Sequence, residues 1–299
     1  MLALTMRLQG IFPPITTPFD HTGGLYETKV RHNIEKYNRA GLSGYVVCGS
    51  TGESVFLSTE EKLRLWKWVA ESSASGKTLI SGTGAESVQE TVDLTNRSAD
   101  LGYAAALVRT PSYYKSLMKC DATQELFFRA VADQSKIPIL IYNIPQFTGI
   151  EISSAAVAAL SHHPNIVGIK DSSGNVDKVA SMARDSKPGF QILVGAASKL
   201  VASFAAGAAG AIVAFACVAP YATICIWEAH RTREIEAAQD WQQRITHAAE
   251  LTTTKYGIPG LKHAMDLNGY YGGPPRLPLT VVTAEARQEI EQAFEGIKG

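Results

Sequence analysis

Residues 165–174, with the sequence NIVGIKDSSG, contain a short apolar run that ends in Lys170 and passes into a turn of small polar residues. A run without alternation of apolar and polar residues is typical of a parallel strand buried on both faces. We therefore predict a strand at residues 166–170. Most of the seven other candidate strands share this character, and they lie at residues 10–16, 44–48, 78–81, 104–108, 138–142, 191–194 and 210–214.

Longer stretches with helical patterns separate the predicted strands, among them residues 59–75, 87–99 and 121–134. Ser58, Asp121 and Ser153 are the expected N-caps of such helices. Eight strand–helix units in this order favour a closed (β/α)8 barrel, the TIM barrel, over an open doubly wound sheet. The open sheet stays an alternative, because a count of strands does not show closure.

The predicted barrel occupies residues 1–214, and residues 215–299 follow its eighth strand. Helical patterns in this second part lie at residues 220–230, 231–254, 259–267 and 284–297. We expect them to form a C-terminal helical extension that packs on the barrel and belongs to the same structural unit. The length agrees with this, since single barrels commonly have about 250 residues or more.

The composition argues against several classes of protein. Among 299 residues, 28 Lys and Arg balance 28 Asp and Glu, so the basic footprint of a nucleic-acid-binding protein is missing. No apolar run reaches the ~18 residues that span a bilayer, and the N-terminal residues lack the pattern of a signal peptide. The four cysteines form no CxxC pair or disulfide framework. We expect a cytoplasmic protein with neither nucleic-acid nor membrane partners.

Lys170 is the first candidate catalytic residue, because catalytic groups of a (β/α)8 barrel lie at the C-terminal ends of its strands. A lysine in a dry barrel favours the neutral amine. That form attacks a ketone and gives an iminium ion, which accepts electrons from a neighbouring bond. Considered alone, the same lysine is also explained by extension to solvent or by pairing with Asp171.

Hydroxyl groups end three other predicted strands. Tyr142 ends the fifth, and its phenol can relay protons, although an ordinary core tyrosine explains it as well. The second strand runs into GSTGE at residues 49–53, where backbone N–H groups beside glycines and the hydroxyls of Ser50 and Thr51 suit a carboxylate. The alternative is an ordinary turn in which Glu53 binds backbone donors. The fourth strand ends in RTPSYY, which adds phenols to the same rim.

Motifs for nucleotides and metals are incomplete. SGKT at residues 75–78 lacks the first glycine of a phosphate loop and precedes a strand, and GTG at residues 82–84 lacks the third glycine of a dinucleotide fingerprint. The seven histidines show no spacing typical of metal ligands. We therefore predict a site without a metal or a nucleotide cofactor.

Four ordered motifs together resemble the dihydrodipicolinate synthase/N-acetylneuraminate lyase superfamily. They are GSTGE at residues 49–53, TPSYY at 110–114, YNIPQFTG at 142–149 and GIKDSSG at 168–174, and the likeness extends from residue 10 to residue 279. The resemblance implies a (β/α)8 barrel and a homotetramer built as a dimer of dimers. It also implies class I aldolase chemistry, in which pyruvate forms a covalent imine with a lysine and no separate cofactor takes part.

The resemblance assigns a role to each matching position. Lys170 becomes the Schiff-base lysine, and Tyr142 the tyrosine that shuttles protons and contacts the pyruvate moiety. Ser50 and Thr51 bind the pyruvyl carboxylate, with Ser50 also in the proton relay to Tyr142. Ile212, on the eighth strand, matches a residue whose backbone carbonyl faces the active site.

Two further positions concern the neighbouring subunit and the second substrate. Tyr113 matches a relay tyrosine that a neighbouring subunit contributes in dihydrodipicolinate synthases, with Tyr114 as the alternative. Those synthases bind the carboxylate of their aldehyde substrate with an arginine at the position of Phe147, and an aromatic ring cannot replace a bidentate guanidinium. Residues 195–198, GAAS, stand where synthases and sialic-acid lyases carry acidic residues. Lysine-biosynthetic and sialic-acid lyase activities are therefore disfavoured.

Other segments resemble the 4-hydroxy-2-oxoglutarate aldolase branch and the related 2-keto-3-deoxy-sugar-acid aldolases. They are residues 163–173, residues 256–262 and residues 269–274 with the following Arg276. In this branch Ser172 would line the part of the pocket that holds the aldehyde half of the substrate.

The predicted function is a pyruvate-dependent aldolase that acts on a 4-hydroxy-2-oxo acid. Its predicted partners are pyruvate and an aldehyde. Dihydrodipicolinate synthase is the first alternative, and a dehydratase that uses the same iminium ion is a smaller one. A non-catalytic homologue that binds 2-oxo acids is the alternative from a different class, although a mere binding protein would not need the lysine, the tyrosine and the hydroxyls together.

Overall fold

The computed structural model describes residues 7–297, which contain eight parallel strands in one sheet. The strands are β1 (Gly10–Phe12), β2 (Gly44–Val47), β3 (Thr78–Gly82), β4 (Ala105–Arg109), β5 (Ile139–Asn143), β6 (Ile166–Asp171), β7 (Gln191–Val194) and β8 (Gly210–Ile212). Each strand pairs with the next along the chain from β2 to β8, and β8 pairs with β1. All predicted strands but the first agree with these bounds within two residues.

The barrel closes between β1 and β2. Pro14 and Val46 form a parallel bridge, Ile15 N–H donates to the carbonyl oxygen of Val46 at 2.9 Å, and Val46 N–H donates to Pro13 at 3.0 Å. The (β/α)8 barrel is thereby confirmed, and the open sheet is excluded. The first strand is shorter than predicted, because Pro13 and Pro14 have no N–H to donate and β1 ends at Phe12.

Apolar side chains fill both sides of the sheet, which explains why the strands show no alternation in sequence. The interior holds the smaller cluster, which includes Phe12, Val46, Ile80, Leu107, Leu140, Leu193 and Ile212. A larger cluster packs the outer face of the strands against the helices. The interior cluster also contains Tyr142, which lies near the C-terminal end of β5. Side chains fill the barrel from the N-terminal ends of the strands up to this phenol, and we call the part beyond it the upper part.

The helices alternate with the strands and then continue beyond β8. They are α1 (Glu27–Asn38), α2 (Thr59–Ser72), α3 (Val88–Asp100), α4 (Lys115–Met118), α5 (Asp121–Gln134), α6 (Pro145–Thr148), α7 (Ser154–Ser161), α8 (Val176–Asp185), α9 (Leu200–Ala205), α10 (Pro220–Thr232), α11 (Ile235–Glu250), α12 (Gly257–Leu267) and α13 (Ala284–Ala293). A π-helical turn, Leu251–Lys255, joins α11 to α12. The region predicted as the C-terminal extension thus contains α10 to α13.

Two of the three predicted N-caps are confirmed. Ser58 forms a capping box with Glu61, and the hydroxyl of Ser153 accepts a hydrogen bond from the backbone of α7. The prediction for Asp121 is wrong, because Cys120 is the N-cap and Asp121 is the first residue of α5. The Asp121 carboxylate instead accepts a hydrogen bond of 2.6 Å from the Ser153 hydroxyl, which links α5 to α7.

The predicted boundaries at residues 1 and 299 lie outside the described residues. Within residues 7–297, no helix has the length and apolar character that crossing a bilayer requires.

Replacement of Ser58 by alanine removes the capping box of α2. We expect S58A to lower the melting temperature by about 2 °C, since loss of such a cap costs about 1 kcal/mol. The matched control is S75A, because Ser75 is exposed and caps no helix. Differential scanning calorimetry at one protein concentration compares the two variants. Equal melting temperatures for both would show that the cap contributes nothing.

Candidate active site

Lys170 and Tyr142 lie side by side in the upper part of the barrel. The register of β5 and β6 pairs these two residues, so their side chains leave the sheet on the same face. The Lys170 amine donates a hydrogen bond of 3.1 Å to the Tyr142 hydroxyl and lies 4.2 Å from the centre of its ring. The two residues are only 4% and 5% exposed. The alternative of a lysine that extends to solvent is therefore excluded.

Pairing of Lys170 with Asp171 is also excluded. Asp171 is the next residue on β6, and its side chain points to the opposite face of the sheet. There its carboxylate accepts hydrogen bonds of 2.6 Å from Asn143 and from Ser173, and it lies 3.7 Å from the Lys178 amine. The Asp171 carboxylate therefore binds its partners outside the barrel interior, and Lys170 contacts the Tyr142 phenol inside it.

A cavity of about 120 Å³ opens at the C-terminal ends of the strands. The predicted site residues that line it are Ser50, Thr51, Tyr142, Phe147, Lys170, Ser172 and Ile212. The structure thus brings together seven of the eight residues that the sequence singles out. Among the described residues that line this cavity, Lys170 is the sole side chain of an acidic or basic type. An incoming carbonyl compound therefore meets an amine whose neighbour is a phenol and not a carboxylate.

Tyr113 is the eighth predicted residue, and it lies outside this cavity. It is 80% exposed, and its ring contacts that of Tyr114 at a centroid distance of 5.1 Å. Its backbone N–H donates a hydrogen bond of 2.9 Å to Glu86, which holds the loop against the barrel. Tyr113, Tyr114 and Leu117 share a surface groove with Phe147, which is 60% exposed.

The hydroxyl turn that follows β2 is compact. Ser50–Gly52 forms a 3₁₀ turn, closed by hydrogen bonds from Gly52 to Gly49 and from Glu53 to Ser50. Two residues that flank the turn have left-handed backbone conformations, Cys48 at φ 60° and Glu53 at φ 55°. Such angles are strained for side chains of this size and are typical of sites whose geometry is over-determined by their surroundings.

The buried thiols near the site are not candidate nucleophiles. Burial raises the pKa of Cys48 to about 12 and that of Cys217 to about 12, so both stay protonated at neutral pH. This leaves the Lys170 amine as the candidate nucleophile of the cavity. Within residues 7–297, no group of three His, Cys, Asp or Glu side chains is placed to hold a metal ion.

The C-terminal extension supplies the opposite wall of the cavity, which sequence reasoning missed. The π-helical turn contributes Thr252, Thr253 and Thr254, and α12 contributes Gly257 and Ile258. The hydroxyls of Thr252 and Thr253 donate hydrogen bonds of 2.7 Å to the carbonyl groups four residues earlier. A π-helical turn is rare and often lies at a functional site, but the sequence signals it only by three successive threonines.

The end of β7 completes the rim. Gly195, Ala196, Ala197 and Ser198 line the cavity, so this wall carries a hydroxyl group and no carboxylate. Ser172 lies against Gly195, since a Cβ atom added to this glycine would fall 2.0 Å from the Ser172 hydroxyl oxygen. A larger residue at position 195 would therefore displace the Ser172 side chain from its place at the cavity.

Comparison with known proteins shows the family to which the chain is related. Residues 7–297 match the dihydrodipicolinate synthetase family. A 4-hydroxy-tetrahydrodipicolinate synthase from Methanothrix thermoacetophila is 36% identical over 289 residues, 96% of each chain. A probable mitochondrial 4-hydroxy-2-oxoglutarate aldolase from Emericella nidulans is 34% identical over 95% of this chain and 93% of its own. The structure of a chloride-inhibited dihydrodipicolinate synthase from Acinetobacter baumannii, complexed with pyruvate, is 28% identical, with a TM-score of 0.92 over 97% of this chain and 99% of that one.

The barrel, the site and these relatives define a pyruvate-dependent lyase of the aldolase type. The chain belongs to the dihydrodipicolinate synthetase family. The family resemblance inferred from the four motifs is thereby confirmed. Because the relatives include both a synthase and an aldolase, the second substrate has to be argued from the cavity.

Proposed function

We propose that this protein is a class I aldolase that joins pyruvate to an aldehyde, or releases the two, through a covalent imine on Lys170. Its substrate in the cleavage direction would be a 4-hydroxy-2-oxo acid. The observation that carries this proposal is the buried Lys170 amine, 3.1 Å from the Tyr142 hydroxyl inside the cavity. A protein that merely binds 2-oxo acids has no need for an amine and a phenol in contact beside a turn that presents two hydroxyls.

The first step is imine formation. Ser50 and Thr51 seat the C1 carboxylate of the substrate with hydroxyl and backbone donors. The neutral Lys170 amine attacks C2, and the carbonyl oxygen takes up a proton to give a carbinolamine. Loss of the C2 hydroxyl as water then leaves a protonated imine. Tyr142 is placed to give and take the protons of these steps, because its oxygen already contacts the amine.

The second step is cleavage of the C3–C4 bond. The C4 hydroxyl gives up its proton, an aldehyde forms, and the electron pair of the broken bond moves into the imine as an enamine. Tyr142 is the proposed base, with Ser50 as the next member of the relay. Protonation of the enamine at C3 and hydrolysis of the imine return pyruvate and the free amine. The iminium ion supplies the electron sink, so the proposal contains no cofactor besides Lys170.

The surface position of Tyr113 supports a dimer in which this residue completes the relay in the site of a second copy. Tyr113, Tyr114, Leu117 and Phe147 expose apolar surface around one groove, and such patches are typical of interfaces. A two-fold axis through this face would give each site one tyrosine from the other copy. We propose a homotetramer made of two such dimers, with Tyr113 as the contributed phenol and Tyr114 as its packing partner.

The lining of the cavity supports the aldolase over the synthase reaction. At the position where synthases bind the carboxylate of the aldehyde with an arginine, this chain has Phe147. Near it lie Gln146, Ser172 and Ser198, which can hold hydroxyl groups or share a weakly bound carboxylate. The second candidate function is 4-hydroxy-tetrahydrodipicolinate synthase, which the similarity to the Methanothrix protein favours.

Lys170 is tested by trapping of the imine with borohydride. We expect wild-type protein incubated with pyruvate and borohydride to gain the mass of one reduced pyruvate adduct, and K170M to gain none, because methionine has no amine. The matched control K199M, which removes the exposed rim lysine next to Ser198, should trap fully. Intact-protein mass spectrometry is the measurement. Full trapping in K170M would assign the imine to another lysine.

Tyr142 is tested by removal of its hydroxyl. We expect Y142F to lower kcat for cleavage by about 10²- to 10⁴-fold, the range typical for loss of a general acid–base group. Y45F is the matched control, because it removes a buried phenol that donates to Asn38 far from the cavity. A coupled assay for pyruvate release measures both variants. A kcat for Y142F within a factor of three of wild type would remove Tyr142 from the proton relay.

The second substrate is tested by a panel. We expect wild-type protein to release pyruvate from 4-hydroxy-2-oxo acids at a higher kcat/KM than it condenses pyruvate with aspartate semialdehyde. F147R should raise the condensation rate relative to the control F147L, since a guanidinium can bind the carboxylate bidentately. Faster condensation than cleavage in the wild-type protein would make the synthase the better assignment.

A further inference from the structure

Glu53 ends the hydroxyl turn and makes a buried ion pair with the C-terminal extension. One carboxylate oxygen lies 2.6 Å from the Lys262 amine, and both side chains are almost fully inaccessible, at 0% and 1% exposure. The other carboxylate oxygen accepts a hydrogen bond of 2.8 Å from the backbone of Arg276. The expectation that Glu53 binds backbone donors in an ordinary turn is thus correct in part, but its partners come from a distant part of the chain.

Several neighbours of Lys262 suit an ammonium ion. Its amine donates hydrogen bonds of 2.9 Å to the carbonyl oxygens of Thr17 and Pro274 and lies 4.6 Å from the ring centre of Phe19. Burial lowers the pKa of Lys262, and the charge of Glu53 opposes this effect. Removal of one partner would leave the other charge buried without compensation, so the pair acts as a unit.

Two more contacts fasten the same turn. The Thr17 hydroxyl donates a hydrogen bond of 2.6 Å to the Gly52 carbonyl group. The Arg276 guanidinium makes two hydrogen bonds to the Glu61 carboxylate, at 2.7 and 2.8 Å, and one of 2.8 Å to the carbonyl group of Phe56. The segment after α12 is therefore tied both to the turn and to the first turn of α2.

The ion pair joins two walls of the candidate active site. Thr51, which lines the cavity, precedes Glu53 by two positions, and Leu261, which lines the opposite wall, directly precedes Lys262. Neither Glu53 nor Lys262 is among the described residues that line the cavity. A change in the separation of these two side chains would move the Thr51 hydroxyl relative to α12 without touching a bound substrate.

We infer that the Glu53–Lys262 ion pair, together with the Thr17–Gly52 hydrogen bond, is a positioning device that fixes the carboxylate-binding turn against α12 and so sets the affinity for the 2-oxo acid. This inference rests on the proposed function, because it takes Ser50 and Thr51 as the carboxylate-binding groups. Glu53 and Lys262 are positioning residues in this scheme. The left-handed backbone of Glu53, at φ 55°, is maintained by the contacts of its carboxylate.

The test is the pyruvate concentration that gives half-maximal borohydride trapping. We expect E53Q, which keeps the size of the side chain, to raise this concentration about tenfold, the loss expected for one charge-assisted hydrogen bond. Its kcat at saturating substrate should fall by a smaller factor than the half-saturation concentration rises, because E53Q alters none of the side chains that exchange protons, Lys170, Tyr142 and Ser50. A purely structural role would lower the melting temperature and leave half-saturation unchanged, and that result would overturn the inference.

A double-mutant cycle tests whether the two residues act as a unit. We expect K262M and E53Q/K262M to raise the half-saturation concentration no more than about threefold beyond E53Q alone, since each change already breaks the pair. Additive effects of the two changes would overturn the inference. K77M is the matched control, because the Lys77 amine also donates to two carbonyl groups, of Ala40 and Leu42, away from the cavity. Its half-saturation should equal that of wild type.

A variant that keeps the ion pair tests the inference if the ion-pair variants fail to fold. T17V removes the hydrogen bond from Thr17 to Gly52 and keeps the shape of the side chain, so we expect about a threefold rise in half-saturation, as for a neutral hydrogen bond. An unchanged value in folded T17V would overturn the inference. Absence of trapping in the wild-type protein would instead overturn the proposed function, whereas normal wild-type trapping with unaltered variants would overturn the inference alone.

Discussion

The register between β5 and β6 is the constraint on which the site depends, because it places Tyr142 directly beside Lys170. A slip of either strand by one residue would turn its own side chain, Tyr142 or Lys170, out of the barrel and separate the pair. The next pair in the register, Asn143 with Asp171, faces the outer layer and makes a hydrogen bond of 2.6 Å. The polar network outside the barrel therefore holds the two strands in the alignment that the amine and the phenol require inside it.

The same alternation separates the charges of the site. Along β6, Lys170 points inward and Asp171 outward, so a lysine and an aspartate that are adjacent in sequence do not neutralise each other. Glu53, two residues beyond Thr51, likewise points away from the cavity to Lys262. Carboxylates stabilise the frame of the site and stay out of its interior, which leaves the amine free for a carbonyl compound. The π-helical turn and α12 supply one wall of the cavity, so the C-terminal helices lie against the barrel at the candidate site.

Sequence patterns predict the barrel and offer candidates among the groups that its strands carry. Runs buried on both faces identify the strands, and the rule about strand ends makes Lys170 and Tyr142 candidates. The resemblance of the four ordered motifs was needed to favour a catalytic role over an ordinary core tyrosine and a solvated or paired lysine. The first strand ends before the predicted residue 16, because Pro13 and Pro14 are apolar but have no N–H to donate to a sheet. The Glu53–Lys262 contact and the threonines of the π-helical turn are tertiary features with no local signal. The proposed relay role of Tyr113 requires a second copy of the chain, which no pattern within one chain can place.

The division of the cavity between strands and loops explains how synthases and aldolases can share this fold. Imine chemistry needs an amine, a proton donor and a carboxylate-binding group whose positions are fixed to within a fraction of an ångström. The strands of the closed barrel and the turn held by Glu53 provide that rigidity. In the proposed reaction the aldehyde half meets Phe147, Ser198 and Thr254, which lie in the connections that follow β5 and β7 and in the C-terminal extension. Loops tolerate substitution because fewer contacts depend on them. Substitutions at these positions can therefore change the second substrate and leave the imine-forming part of the site unaltered. Membership of the family thus supports the proposed chemistry of Lys170 more strongly than it supports any particular aldehyde.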